Sequence, residues 1–331
     1  MSALTVGLPV HNAMPFLPET VDSLLRQDFQ NFNVLIIDDG SADGSSEYLS
    51  TIKDPRVRII RQENRGLTST LNRMLREAET PWLVRQDADD IAYPNRIKLI
   101  KEYTDRYPSA GMFYSLANYY QENTSFGKFR TTVASPKVLS NLTRAGYLIS
   151  ICHPTAVLNV EKTLALGGYR FDLYVEDIDL WWRMALSHDI ILIPEITVGY
   201  RHNLSSICGN NLEASYVNTL YIQYLLLSYL WGLNQRPYER VKPELARMTS
   251  KNRLRFKEHI RKVNICAGRK QYAKAMGHSI IAFLSDPKYF LNRLAYEFGG
   301  KELAVSGTDP RVFASLSDAL WKNGGKRDGG Q

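Results

Sequence analysis

Apolar and polar positions follow two rhythms along this chain. Up to about residue 115, short continuous apolar runs alternate with stretches in which apolar residues recur every three or four positions. The runs are Leu4–Val10, Asn33–Ile37, Val57–Ile60, Pro81–Arg85 and Gly111–Ser115. Between them, Phe16–Gln27 sets Leu17, Val21, Leu24 and Leu25 on one face, and Pro94–Tyr107 does the same with Ile97, Ile100 and Tyr103. Ser45–Ile52 and Thr68–Ala78 read as further helices. Short runs that are apolar on both faces predict strands of a parallel sheet covered by helices on either side. From about residue 210 only helical patterns remain: Leu212–Leu233, Arg240–Ile265, Lys270–Leu284 and Tyr289–Phe298, with no clear strand. The expected class is α/β, with a mostly parallel central sheet in residues 1–209 and a basic, mostly helical C-terminal region in 210–331.

Composition changes this picture in three places. With 331 residues, 44% of them hydrophobic, the chain can bury a sizeable core, and 23% charged content with 11% aromatics excludes wholesale disorder. The three cysteines (Cys152, Cys208, Cys266) are scattered and odd in number, which excludes a full disulfide framework and suggests no zinc spacing. A reducing compartment is the simplest match. The N-terminus lacks the basic and apolar segments of a signal peptide. The most apolar later stretch, Tyr216 to Leu233, is broken by Asn218 and Gln223 and falls short of the ~20 clean residues that span a bilayer. These features predict a cytoplasmic protein. Charge is split unevenly, with 20 Lys and Arg against 10 Asp and Glu in residues 210–331, and 21 against 24 in 1–209. A basic tail on a slightly acidic body is expected to touch an anionic surface at the inner membrane face. A solvated basic helical surface is the ordinary alternative.

Open α/β sheets bind ligands beyond the carboxyl ends of their strands. Polar clusters stand at those ends here: Pro9-Val10-His11-Asn12, Asp38-Asp39-Gly40-Ser41 and Gln86-Asp87-Ala88-Asp89-Asp90. In an extended chain Asp87 and Asp89 point to one face, and two converging carboxylates suit Mg²⁺ or Mn²⁺. Capping and turn formation account for the same residues in an ordinary way. A further acidic run, Glu176-Asp177-Ile178-Asp179, precedes Leu180-Trp181-Trp182-Arg183. It either favours a helix N-terminal dipole or lends the site a general base whose proton affinity its neighbours raise.

Together these elements resemble the family 2 glycosyltransferases with the GT-A fold. The resemblance runs in family order over residues 4–205 through Pro9-Val10-His11-Asn12, Ile36-Ile37-Asp38-Asp39-Gly40-Ser41, Asn64-Arg65-Gly66-Leu67, Asp87-Ala88-Asp89-Asp90, Gly167-Gly168-Tyr169 and Glu176 to Arg183. It implies a GT-A nucleotide-sugar-binding fold and an inverting transfer of sugar from a nucleotide-diphosphate sugar, with UDP expected, to a glycan or lipid-linked acceptor. Cell-surface polysaccharide synthesis is the implied setting. In this reading Pro9, His11, Asp38, Asp39, Arg65 and Asp87 bind the nucleotide. Asp89, with Asp87, holds a divalent cation (Mn²⁺ or Mg²⁺). Asp177 is the base, and His153, Glu176 and Trp181 lie near a sugar. His153 reads equally as a structural histidine, and Trp181 as a core residue. Two departures stand out: His11 replaces a frequent aromatic, and Tyr200-Arg201-His202-Asn203 shifts His202 by one place from the usual Tyr-Arg-x-His, which weakens its case as a metal ligand. Loops around 116–150, with Tyr119, Tyr120, Arg130 and Arg144, are candidates for the acceptor. The rival enzyme class, a nucleotidyltransferase, would bring a glycine-rich basic loop after the first strand, where this chain has Pro9-Val10-His11-Asn12-Ala13. A non-catalytic nucleotide-sugar binder is the other rival. The tail carries no nucleic-acid motif, so no nucleic acid is expected.

Overall fold

A computed structural model describes residues 4–121, 124–201, 212–297 and 304–322. Five strands emerge where the apolar runs stand: β1 (Leu4–Val10), β2 (Asn33–Asp39), β3 (Val57–Gln62), β4 (Trp82–Arg85) and β6 (Met112–Gln121). A short β5 (Ile91–Ala92) precedes β6, and β7 (Thr124–Lys128) follows it. Later come β8 (Leu148–Ile149), β9 (Val157–Asn159) and the long β10 (Ile190–Arg201). The main sheet runs β3-β2-β1-β4-β9-β6-β10-β5, with β7 paired to β6. Pairing is parallel across β3-β2-β1-β4 and again between β6 and β10, and antiparallel at β9, β5 and β7. The sheet is therefore mostly parallel, as expected.

Period-two alternation splits the core into two layers. Val34 and Ile36 of β2 join Leu4, Val6, Leu8 and Val10 under helices α1 (Leu17–Leu25), α2 (Ser45–Thr51) and α4 (Arg96–Arg106). Leu35 and Ile37 face the other way, toward α3 (Leu67–Glu77), α5 (Pro136–Arg144) and α7 (Glu176–Ser187). A short α6 (Val160–Ala165) follows β9. Strand ends and helix starts therefore gather along one edge, which is where the polar clusters meet.

The C-terminal helices are α8 (Leu212–Trp231), α9 (Tyr238–Arg247), α10 (Lys251–Gly268), α11 (Tyr272–Ser285) and α12 (Pro287–Glu297). The pattern at 240–265 predicts one helix, but the chain breaks at Met248–Ser250, and the Ser250 side chain accepts the Arg253 N–H to start α10 afresh. Serine favours such caps over helix interiors. The expectation of no strand beyond 210 also fails, since β11 (Val305–Ser306) pairs antiparallel with β8. A last helix, α13 (Pro310–Ser315), follows. Helix α8 is buried on every side from Tyr216 to Ser228, as a helix apolar all round must be. It shares a core with Leu148, Val175 and Trp182 from the sheet body. Its two polar interruptions pin loops: Asn218 Nδ2 donates to the Leu173 carbonyl at 2.8 Å, and Gln223 Nε2 donates to the Gly146 and Thr308 carbonyls at 3.0 and 2.7 Å. No helix among the described residues is long and apolar enough to cross a membrane.

Candidate functional site

The first wall of the site joins the ends of β1 and β2. Asp38 is buried and turns the chain back, since its Oδ1 accepts the Ser41 N–H at 3.1 Å and its Oδ2 accepts the Ser46 hydroxyl. Asp39 is buried at the last position of β2. Its Oδ1 accepts Gln62 Nε2 at 2.6 Å and the Arg65 N–H at 2.8 Å, while Oδ2 accepts the Gly66 N–H at 3.0 Å. The carboxylate thus holds the 64–66 loop and keeps a lone pair on Oδ2. Gly66 has φ +81, which a glycine adopts at no steric cost. His11 is exposed, with Nδ1 2.9 Å from the Asp39 carbonyl and Nε2 3.2 Å from the amides of Asn12 and Asn64. Nδ1 therefore carries the proton, because the carbonyl can only accept and the amides donate to Nε2. Arg65 projects from the same rim, exposed. Pro9 is buried within β1, level with Ile37.

The second wall follows β4. Residues 86–90 form a turn, with the Asp90 N–H donating to the Asp87 carbonyl at 3.3 Å. The extended-strand geometry expected for Asp87 and Asp89 is therefore wrong, and the two carboxylates are brought together by a turn instead. Their proximity shows in charge. Asp89 is pushed up to about 6, first by burial and then by Asp87. Asp90 is buried beneath them with its carboxyl raised well above the carboxylate range, again by burial and then by Asp89. One Asp90 oxygen accepts the Arg201 N–H at 2.7 Å. Arg85 lies buried at the end of β4, donating to Asp87 Oδ1 at 2.5 Å. Arg96, fully buried at the start of α4, donates to the carbonyls of Arg85 and Pro154 at 2.6 and 2.5 Å and also to Gln86 Oε1.

The third wall is the N-terminus of α7. Asp177 is half-buried, its Oδ1 accepting the Ile178 N–H at 2.8 Å. Burial is the chief cause that lifts its carboxyl to about 6, and Asp87 across the cleft adds to this. Glu176 is buried and rises to about 8, through burial and then Asp177. His153 Nδ1 faces Glu176 Oε1 at 3.7 Å, and its Nε2 meets the Tyr169 hydroxyl at 2.9 Å. Burial drives the His153 imidazole well below its ordinary value, so at neutral pH a neutral histidine faces a protonated glutamic acid. Asp179 is fully buried and is matched by Arg170, Arg183 and the Trp182 indole N–H. It fixes the helix start and is shielded from the cleft.

Trp181 requires correction. It is fully buried against β-sheet residues on one face of α7, while Trp182 packs on the opposite side against α8. Trp181 backs the His153 ring edge-on, with centroids 5.7 Å apart. The 116–150 stretch is also mostly regular structure and not loops: Tyr119 and Tyr120 belong to β6, and Arg144 ends α5. His202 and Cys208 lie outside the described residues. Cys152 is buried with its thiol raised well above the ordinary value by burial, and Cys266 is half-buried.

Four positioning residues carry no motif of their own in the sequence. Arg201 closes the second wall: its Nε donates to the Asp89 carbonyl at 2.6 Å, its Nη2 pairs with Glu19 at 2.6 Å, and it sits 4.5 Å over the Phe16 ring. Arg85 and Arg96 supply the cationic floor. A signal existed for both, since Arg85 terminates an otherwise apolar run and Arg96 opens a helix at the end where a cation is disfavoured. Asn72 clasps the Gly167-Gly168-Tyr169 loop through both Tyr169 backbone groups, which holds Tyr169 against His153.

Among the described residues, no three His, Cys, Asp or Glu side chains converge as a metal cage. Asp89 and Asp87 nevertheless fit a divalent cation. They are hard oxygen donors, burial and then the Asp87 charge lift Asp89, and a cation sharing ligands with phosphate and water needs few protein groups.

Residues 5–163 match the model for glycosyl transferase family 2. Among its relatives, the chain is 26% identical over 191 residues to the putative glycosyltransferase EpsE of Bacillus subtilis, covering 54% of this chain and 66% of that one. It is 30% identical over 129 residues to glycosyltransferase GlyG of Streptococcus pneumoniae, covering 38% and 42%. The matches thus span two thirds or less of these two relatives. In structure the chain is similar to S. aureus TarS 1-349 in complex with UDP-GlcNAc (TM-score 0.54, 13% identity, 93% and 99% covered). It is also similar to the Pyrobaculum calidifontis mannosyltransferase PcManGT in complex with GDP-Man and Mn²⁺ (TM-score 0.50, 18% identity, 96% and 84% covered). These likenesses show the GT-A fold.

Proposed function

Residues 5–163 match glycosyl transferase family 2, and on that premise we propose that the chain is an inverting glycosyltransferase. It takes a sugar from a nucleotide-diphosphate donor, UDP-linked in the first instance, and passes it to a glycan or lipid-linked acceptor in cell-surface polysaccharide synthesis. The observation that carries the proposal is that Asp87, in the turn after β4, acts on both Asp89 and Asp177, whose carboxyls burial chiefly and Asp87 in addition lift to about 6.

In this reading the three walls divide the work. His11, Asp39 and Arg65 surround the nucleoside, with the remaining Oδ2 lone pair of Asp39 directed to a base or ribose donor and Asp38 holding the loop. Asp87 and Asp89 would hold a divalent cation, which would supply positive charge beside the departing diphosphate. Asp177 faces the donor from the opposite wall and takes the proton of the acceptor hydroxyl as its oxygen attacks, in one displacement that inverts the anomeric centre. His153 and Glu176, both neutral, offer hydrogen bonds to a sugar without adding charge beside the base. A peripheral contact with an anionic membrane completes the reading. Its support is the exposed apolar face of α11 and α12 (Tyr272, Met276, Ile280, Leu284 and Leu291, each more than half exposed) on a stretch, residues 251–297, rich in Lys and Arg. The direct test offers UDP-, dTDP- and GDP-sugars with Mn²⁺ and follows nucleotide diphosphate release. Release from none of them sinks the proposal.

A further inference from the structure

The roles above leave a cavity of about 240 Å³ unused, where the end of β6 meets the C-terminal helices. Three cations line it: Arg130 from the segment after β7, and Arg253 and Lys257, one turn apart on α10. Three phenol rings, Tyr119, Tyr216 and Tyr289, complete the walls. Arg253 pairs with Asp286 at 2.8 Å and lies 4.0 Å over the Tyr289 ring, while Arg130 Nη1 donates to the Tyr289 hydroxyl at 3.1 Å. Lys257 is different. Its ammonium sits 3.9 Å over the Tyr216 ring, and among the described residues no carboxylate pairs with it. Arg253 already engages the Asp286 carboxylate, so the ammonium stands beside two guanidiniums.

Asp286 answers Arg253, so the cost of holding the Lys257 ammonium in this half-buried space stands unless a further anion meets it. Burial first, then Arg253 and Arg130, brings the Lys257 ammonium down to about 8. The Lys257 ammonium, with the Arg253 guanidinium beside it, offers the cationic N–H donors that match the several oxygens of one tetrahedral anion. Two short chain links run from the cavity toward the donor site. Tyr119 packs against Tyr200 with ring centroids 6.3 Å apart, and Tyr200 precedes the Arg201 that closes the Asp89 turn. Ser150, on the cavity wall, lies three residues before His153.

We propose that this cavity binds a phosphate group, as monoester or diester, carried by the acceptor. Assignment to the acceptor rests on the sugar-transfer reading, whereas phosphate binding itself stands apart from it. The group has two possible sources, a soluble phosphorylated glycan or a lipid headgroup, and one experiment separates them. Full-length protein is titrated in EDTA with inorganic phosphate and with glycerol phosphate, and separately with phosphatidylglycerol and phosphatidylcholine vesicles. Saturable binding of the soluble phosphates is expected, weakened at least tenfold in Lys257→Gln, kept within a few-fold in Lys257→Arg, and unchanged in Asp89→Ala. Soluble phosphate that displaces the protein from phosphatidylglycerol vesicles assigns the cavity to a lipid headgroup, and binding without displacement assigns it to a soluble acceptor. Because the readout uses neither donor nor metal, it can fail while sugar transfer stands. Absence of saturable phosphate binding by the wild type, or equal binding by wild type and a folded Lys257→Gln, overturns the proposal.

Discussion

Replacing Asp177 by Asn probes the proposed base with almost no change of shape. The carboxyl is lifted to about 6 by burial, with Asp87 adding to the rise and the Ile178 N–H opposing it. A base must be ionised to act. With that value, about nine-tenths of the molecules carry the active form at pH 7 and about one-tenth at pH 5. Wild-type transfer should therefore fall about tenfold per pH unit below 6. The Asn variant has no carboxyl to ionise, so its rate should drop ~10²–10⁴-fold at pH 7 and its dependence on pH around 6 should flatten. Donor affinity should persist, because the nucleotide meets the other two walls. The assay is initial-rate transfer at pH 5 to 8 with saturating donor, alongside a donor-binding isotherm for each protein. A variant that transfers sugar near the wild-type rate, or keeps an unchanged acid limb, refutes the assignment and passes the base role to a neighbouring group.

Other consequences are independent of that one. Arg201→Ala removes the bonds to the Asp89 carbonyl and Glu19, so stability should fall by ~1–3 kcal/mol and metal-dependent nucleotide binding should weaken. Thermal unfolding and a UDP titration read the two effects, and an unchanged titration removes Arg201 from the site's support. Glu176 has a folded-state value of about 8, above the ordinary 4.5, so the folded protein binds the extra proton and loses stability as pH rises between those values. Glu176→Gln should cancel that loss. The wild-type melting temperature should drop relative to the variant from pH 5 to 8, and parallel profiles would show that Glu176 ionises normally. On the membrane side, Ile280→Asp with Leu284→Asp alters residues 55% and 71% exposed. Folding should be spared while co-sedimentation with anionic vesicles is lost. Wild-type binding should also weaken with salt as the Debye length falls from ~10 Å at 0.1 M to ~3 Å at 1 M. Failure of the wild type to bind at low salt ends the membrane reading.

The legible parts of the fold are those with a local cause. β1, β2, β3 and β4 are continuous apolar runs between turn residues, and the polar residues at their ends mark where the site lies. β10 escapes because its register shifts around Pro194-Glu195, and a bulge holding a proline and a glutamate interrupts the pattern that identifies a strand. β9 is three residues long and carries no period. Trp181 is misplaced by its pattern because adjacent helical positions diverge, and only packing decides which of the two rings meets the sheet. Arg201 reaches a carbonyl 112 residues away, a pairing no local spacing encodes. Asp39 stands out by its motif, yet its grip on the 64–66 loop depends on β2 lying beside β3, which the residue type alone does not reveal.

The central claim is that the turn after β4 holds a nucleotide diphosphate through a divalent cation. UDP titrated calorimetrically into wild type and Asp89→Ala, each with Mn²⁺ and with EDTA, tests it most directly. Wild type should bind at least tenfold more tightly with Mn²⁺ than with EDTA, and Asp89→Ala should bind weakly and equally in both. Equal enhancement by Mn²⁺ in the two proteins, or no UDP binding by the wild type under either condition, contradicts it.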